Sequence, residues 1–140
     1  MEAIKIHKAI SKLGACSLYK GQETTSELLR LMNTAQGMEF CIKHNFPSLK
    51  MLKSIDKAIA VSHGVYVNAG RITLHNPENV VLAGRTSAEI TYDDTAEVRH
   101  KITVFHGAKA LVKASNWAVI FTTNAGGKID IVATENSYVR

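Results

Sequence analysis

The second half of the chain repeats a short cycle of a small residue, a variable residue and an aliphatic residue. Each cycle follows a turn of small or polar residues. The cycle occurs at Gly70-Arg71-Ile72, Ala88-Glu89-Ile90, Ala96-Glu97-Val98, Ala108-Lys109-Ala110, Ala118-Val119-Ile120, Gly127-Lys128-Ile129 and Ser137-Tyr138-Val139. Short apolar runs between turn signals, with no helical period to connect them, predict an all-β region over residues 59–140.

The spacing of the small residues favours a short β-solenoid for this region. From Ala88 onward they recur at steps of 8, 12, 10, 9 and 10 positions. In a stack of coils a corner position faces a tight interior, so Ala, Gly or Ser fits there and larger residues do not. Two or three strand-and-corner units would form one rung, which gives roughly three to four rungs. A small β-sandwich or roll would use the same alternation and is the alternative fold.

A helical period governs residues 1–58. Apolar positions from Ala3 to Leu13 fall on one helical face. Thr24-Thr25-Ser26-Glu27 has the spacing of a capping box and predicts the start of a second helix. Asn33-Thr34 interrupts that helix, and a further helix is expected from Ala35 to His44, with Met38, Cys41 and Ile42 inward.

The turn at Asn45-Phe46-Pro47-Ser48 introduces one more helix, in which Leu49, Met51, Leu52 and Ile55 point inward. The chain is therefore predicted to be α+β and one compact unit, with the helices of residues 1–58 packed on, or capping, one end of the β stack. An open stack exposes apolar edges and unpaired backbone groups, and we expect the helices to cover them.

Three segments resemble the degenerate short repeats of bacterial and phage β-solenoid proteins, in which Asp or Gly is followed by Asn, Ala, any residue and Val. They are Asp94-Thr95-Ala96-Glu97-Val98, His106-Gly107-Ala108-Lys109-Ala110 and Glu135-Asn136-Ser137-Tyr138-Val139. The resemblance covers residues 86–140. It implies a stacked β architecture and an origin in a phage or another mobile element, and it transfers no catalytic residue.

The positive charge is concentrated in the helical part. The net charge is +5, and residues 1–58 hold nine Lys or Arg against five Asp or Glu. Lys50, Lys53 and Lys57 fall at i, i+3 and i+7 of the last predicted helix, and with Lys43 they form a candidate nucleic-acid-binding surface. A solvated helix face explains the same stripe and is favoured, because that helix offers no Arg, Asn or Gln to read base edges.

The composition indicates an ordinary globular protein. Its 140 residues, 46% of them hydrophobic, suit a folded domain. No apolar run approaches the ~20 residues that cross a bilayer, and the first residues lack the features of a signal peptide. Two cysteines, Cys16 and Cys41, suggest no disulfide framework. We therefore expect a cytoplasmic protein without a membrane partner.

Two candidate chemistries can be weighed from the sequence. Cys41 and His44 have the spacing of half a zinc site, and Cys16 and His7 could be recruited, but a structural zinc needs four ligands and nothing supplies the usual second pair. His100 or His106 beside Asp93 or Asp94 would be the minimum for acid–base catalysis. No activated nucleophile accompanies them, so we expect no metal, no cofactor and no catalytic residue.

The preferred functional hypothesis is a non-enzymatic protein-interaction module. Trp117, beside the turn residue Asn116, and Tyr138 are the candidate interaction residues, because large aromatic side chains dominate binding surfaces. A homo-oligomer is expected, since the end of the stack near Tyr138 has no obvious cap. Nucleic-acid binding through the lysines of the helical part is the alternative, and an enzyme that uses His100 or His106 is the third.

Overall fold

The computed structural model describes residues 8, 10, 23–93, 99–133 and 138–139. The chain divides into two compact units, Met1–His63 and Gly64–Arg140. Described helices lie in the first unit and described strands in the second, so the chain is α+β, as predicted. The helices are α1 (Thr25–Met32), α2 (Ala35–His44), α3 (Leu49–Ser54) and α4 (Lys57–Ser62). Lys8 and Ile10 are also helical, and the rest of the predicted first helix lies outside the described residues.

Side-chain caps set the starts of the first two helices. Thr24 Oγ1 accepts a hydrogen bond from Glu27 N (3.2 Å), and Thr24 N donates to Glu27 Oε1 (3.4 Å), so the predicted capping box is confirmed. Thr34 caps α2 by accepting from Gly37 N. Asn45 ends α2 in the left-handed region, where asparagine is tolerated.

The last predicted helix is in fact two helices. Ile55 is extended, with ψ 137°, and ends α3. Asp56 then caps α4 because its Oδ1 accepts a hydrogen bond from Ile59 N at 3.1 Å. The helical unit consequently runs to His63, although the sequence placed the change of period between residues 58 and 59. The expected covering of the stack by the helices stays a prediction.

The second unit is a parallel β-solenoid. Its described strands are β1 (Val65–Val67), β2 (Gly70–His75), β3 (Asn79–Ala83), β4 (Thr86–Tyr92), β5 (Arg99–Phe105), β6 (Lys109–Ala114), β7 (Val119–Ala125), β8 (Lys128–Ala133) and β9 (Tyr138–Val139). The first sheet has the order β1-β3-β5-β7-β9, and the second sheet has the order β2-β4-β6-β8. Each strand pairing within these sheets is parallel, which a sandwich or roll built of hairpins would not give.

Each turn of the solenoid contributes one strand to each sheet. Val65 pairs with Val81, Val81 with Thr103, and Thr103 with Thr123, so successive turns take 16, 22 and 20 residues. The described stack has about three turns, and the predicted solenoid is confirmed. The unequal turn lengths explain why the small residues recur at irregular steps.

The core lies between the two sheets. Three small residues at the predicted tight positions are buried, with Ala88 3%, Ala108 0% and Ala118 1% exposed, whereas Gly70 is exposed and Gly127 is half-buried. The three alanines pack among the aliphatic side chains of both sheets, including Ile90, Val104 and Ile120. Strands β3 and β5 are buried on both faces for most of their length. The outward face of β2, β4 and β6, by contrast, is mainly exposed, so the second sheet presents the open broad surface of this unit.

Candidate interaction surface

Strand register places three rows of side chains on the outer face of the second sheet. The first row is Arg71, Ser87, Lys109 and Lys128; the second is Thr73, Glu89, Leu111 and Asp130; the third is His75, Thr91, Lys113 and Val132. Lys113 Nζ pairs with Glu89 Oε1 at 2.8 Å, and Lys128 Nζ lies 3.8 Å from Asp130 Oδ2. The carboxylates of both pairs belong to the second row. The first row therefore carries three cationic side chains and no carboxylate.

A ladder of polar side chains runs along the corner that follows the second sheet. Asp93 N donates to Asn76 Oδ1 (3.0 Å), and Asn76 Nδ2 donates to Asp93 Oδ1 (2.8 Å). One turn later, Asn116 Nδ2 donates to the carbonyl oxygen of Asp93 at 2.9 Å. We call Asn76, Asp93 and Asn116 the corner ladder. It satisfies backbone groups where the chain leaves the sheet and ties successive turns together.

His75 adds an ionisable group to the ladder. Its Nε2 lies 3.0 Å from both carboxylate oxygens of Asp93. The hydrogen bond from His75, and next the one from Asn76, hold the pKa of the Asp93 carboxyl below its ordinary value. The side chains of His75 and Asp93 are 64% and 49% exposed, so this is a hydrogen-bonded pair at the surface and not a desolvated pair.

Trp117 lies beside the ladder in an unusual backbone conformation. Ala118 N donates to Ser115 O at 3.2 Å, and the two residues between them have positive φ, 61° at Asn116 and 69° at Trp117. This pattern is that of a type I′ turn, whose second central residue is normally glycine. A bulky residue is rare in the left-handed region. Trp117 is nevertheless held there, with 70% of its surface exposed.

A second turn of the same kind provides a direct comparison. Ala108 N donates to Phe105 O at 3.1 Å, and the central residues are His106 (φ 54°) and Gly107 (φ 85°). Here glycine occupies the position that tryptophan occupies in the other turn. A type I′ turn of this solenoid can therefore form with glycine at its second central position.

The histidines singled out from the sequence do not pair with Asp93. His100 is 2% exposed; its Nδ1 lies 2.9 Å from Pro77 O, and its ring is 4.5 Å from that of Tyr92, whose pKa is raised by burial. His106 belongs to a turn, with its ring 5.9 Å from that of Phe105. His75 is the partner of Asp93, and Asp94 lies outside the described residues.

The other sequence candidates are placed as follows. Cys41 is buried, and His44 stacks on Phe40 with ring centroids 4.6 Å apart. Within the described ranges, no three His, Cys, Asp or Glu side chains come close enough to hold a metal ion, and His7 and Cys16 fall outside those ranges. The backbone of Tyr138 lies in β9, and its side chain is beyond what the structure describes.

The four candidate lysines are exposed but do not form a stripe on a single helix. Lys43 lies in the last turn of α2, Lys50 and Lys53 belong to α3, and Lys57 begins α4. The break at Ile55 and Asp56 separates Lys57 from the predicted i, i+3, i+7 stripe. Their helices lie in the unit that carries most of the positive charge.

The helical unit also contains an apolar groove that encloses about 560 Å³, its open side included. Its walls include Leu28, Met32, Phe40, Cys41 and Ile55. Every described residue along it is apolar, so it offers no polar group that would orient a ligand.

None of the helices in the described part of the chain has the length and apolar character needed to cross a membrane. Comparisons with known protein families, with curated proteins and with solved structures find no significant match to this chain. Its function has to be inferred from the geometry of its surfaces.

Proposed function

We propose that this chain is a non-enzymatic module that binds another protein through the solenoid corner centred on Trp117. The observation that carries the proposal is the placement of an exposed tryptophan at a left-handed turn position. A left-handed conformation costs a non-glycine residue roughly 1–2 kcal/mol. Gly107 shows that the same type of turn forms in this solenoid without that cost at the second central position.

The surroundings of Trp117 support a role in binding. Tryptophan is among the residues most enriched at the energetic centres of protein interfaces, where it buries a large rigid surface. The corner ladder fixes the turn beneath it, because Asn116 is tied to the carbonyl of Asp93. A side chain held on a rigid corner loses little conformational entropy when a partner covers it.

The one described histidine–aspartate pair supports binding more than catalysis. Catalytic acids and bases are usually tuned by burial or by closely placed charges. His75 and Asp93 are instead about half exposed, and their hydrogen bonds join two turns of the solenoid. A structural or recognition role accounts for this geometry.

Affinity capture from extracts of the native host would test the proposal. Wild-type protein and the Trp117→Gly variant would be immobilised, with Ile42→Ala as a control at another exposed apolar side chain. We expect a protein that binds wild type and the control but not Trp117→Gly. Once that partner is purified, its affinity for Trp117→Gly should be roughly 30-fold lower than its affinity for wild type, as for a ~2 kcal/mol hot spot. Equal binding to all three proteins would contradict the proposal.

The partner in this experiment can be a second copy of the chain, which the expected homo-oligomer would require. Light scattering of wild type and Trp117→Gly at high concentration identifies that case. A wild-type oligomer that the substitution dissociates would make the corner a self-association surface. A monomer in both would direct the search to a different protein.

Nucleic-acid binding is a second candidate, supported by the exposure of Lys43, Lys50, Lys53 and Lys57. No ion pair of these lysines occurs among the described residues. Phosphate contacts by such side chains give an affinity that falls steeply with salt. Retardation of labelled DNA and RNA at low salt would be measured for wild type and for Lys50→Glu/Lys53→Glu. An absence of retardation, or no difference between the two proteins, would remove this candidate.

A further inference from the structure

We infer that the outer face of the second sheet binds an acidic, extended segment of a protein partner along a row of cationic side chains. The cation row consists of Arg71, Lys109 and Lys128, with Ser87 between the first two. This inference rests on the proposed function, because it assumes a protein partner. It adds the chemical class of that partner.

The row is aligned by hydrogen-bonded register. Arg71 pairs with Ser87, Ser87 with Lys109, and Lys109 with Lys128, and all four residues are exposed. Neighbouring strands are about 4.8 Å apart, so the row extends over roughly 14 Å across the four strands. Positive charges fixed in a line on a rigid sheet are preorganised for a linear anionic ligand.

The cations of the row have little competition from the protein's own carboxylates. Within the described part of the chain, Arg71 and Lys109 form no ion pair, and Lys128 has only the 3.8 Å contact to Asp130. Arg85 is exposed at the corner just before β4, where its carbonyl accepts a hydrogen bond from Gly70 N. It adds a further cation at the end of the sheet where the row lies.

The neighbouring residues favour an acidic peptide over a nucleic acid. The second row carries Glu89 and Asp130, so the positive strip is narrow and a broad polyanion would meet negative charge beside it. The described side chains that point outward from the second sheet include no Phe, Tyr or Trp on which bases could stack, and proteins that bind single strands rely on such stacking. Leu111 and the 59% exposed Val132 offer apolar contact to a peptide instead.

The cation row and Trp117 lie at opposite ends of the same strands. Lys109 begins β6, Ala114 ends it, and the turn with Trp117 follows. At ~3.3 Å per residue the two ends are about 16 Å apart. A single partner that covers this face can therefore place an apolar pocket over Trp117 and carboxylates over the row.

Fluorescence anisotropy with defined probes tests the inference. The probes are a labelled peptide of about 12 alternating Glu and Ser residues, long enough to exceed the row, and a labelled oligothymidylate of about the same number of units. We expect the peptide to bind wild type at low salt and to dissociate as salt rises. Arg71→Glu/Lys109→Glu should weaken its binding by about tenfold or more, whereas Lys50→Glu/Lys53→Glu, with the same change in net charge, should alter it by less than about threefold.

Three outcomes would overturn the inference. These are no peptide binding at low salt, equal weakening by both double variants, and tighter binding of the oligothymidylate through the row. Circular dichroism of both variants shows whether each is folded. Trp117→Gly should keep its affinity for the peptide within about threefold, because a peptide of Glu and Ser carries no apolar side chain to pack against the indole. The inference about the cation row can thus be confirmed or refuted independently of the Trp117 capture experiment.

Discussion

Asn116 donates a hydrogen bond from Nδ2 to the carbonyl oxygen of Asp93, 2.9 Å away and one solenoid turn earlier. The carboxylate of the same Asp93 is bound from the turn before by Asn76 and His75. Asp93 therefore joins three successive turns at the corner where Trp117 is presented. The carbonyl of Asp93 binds the later turn, and its carboxylate binds the earlier one. Of these two groups only the carboxylate titrates, so only its hydrogen bonds change as Asp93 is protonated.

Acid should weaken the contribution of Asp93 to stability. Its pKa is lowered in the folded state, so the contribution is complete above the unfolded value of about 3.9 and is lost as the pH falls through the lower folded value. Wild type should therefore melt at a higher temperature than Asp93→Asn at neutral pH, and the difference should shrink below about pH 4. Thermal melts across this range measure it. A difference that grows in acid would show that the carboxylate is not stabilised by these hydrogen bonds.

The two type I′ turns should respond oppositely to substitution. Trp117→Gly removes a non-glycine residue from the left-handed region and should raise the free energy of unfolding by about 1 kcal/mol. Gly107→Ala should lower it by about 1 kcal/mol through conformation alone, since a Cβ there meets no other atom within 4 Å. Denaturant titrations give both values. A loss of stability in Trp117→Gly would mean that the indole is kept for packing and not for a partner.

Local patterns predicted most of the architecture. The alternation of apolar residues located the strands, and the Thr24 capping box located α1, because both depend on neighbours within a few positions. The division between α3 and α4 was missed, although Asp56 is a good N-cap residue. Ile42 was expected inward and is 39% exposed. Its place on the helix depends on tertiary packing, which the helical period does not specify.

The candidate interaction surface was harder to predict from the sequence than the fold. Asn116 indicated a turn at Trp117, but Asn-Gly is the usual signal for left-handed geometry at both central residues, and the tryptophan concealed it. The cation row depends on which strand residues are neighbours. Turns of 16, 22 and 20 residues have no constant period from which that register could be read. The pairing of His75 with Asp93 was missed for the same reason.

Helix propensity and tertiary packing make opposite predictions for Gly37→Ala. Propensity alone would give a gain of about 1 kcal/mol in a helix interior. A Cβ on Gly37 would overlap the main-chain oxygen of Leu31 in α1, so we expect a loss of roughly 1–3 kcal/mol. Gln36→Ala, at the exposed neighbouring position, should stay within about 0.5 kcal/mol. Denaturation followed by the helical circular dichroism signal would decide, and a stabilised Gly37→Ala would show that the two helices do not approach this closely.

The tight positions of the solenoid should not accept larger side chains. Ala108 and Ala118 each end a type I′ turn and are 0% and 1% exposed, so leucine at either would add three heavy atoms to a packed core. Overpacking typically costs about 1–3 kcal/mol, a large share of the ~5–15 kcal/mol that stabilises a domain. Lys109→Leu, at the exposed position between Ala108 and Ala110, should change stability by no more than about 0.5 kcal/mol. Thermal melts of the three variants compare them directly. Equal losses at all three positions would mean that the small residues of the repeat do not mark the interior corners.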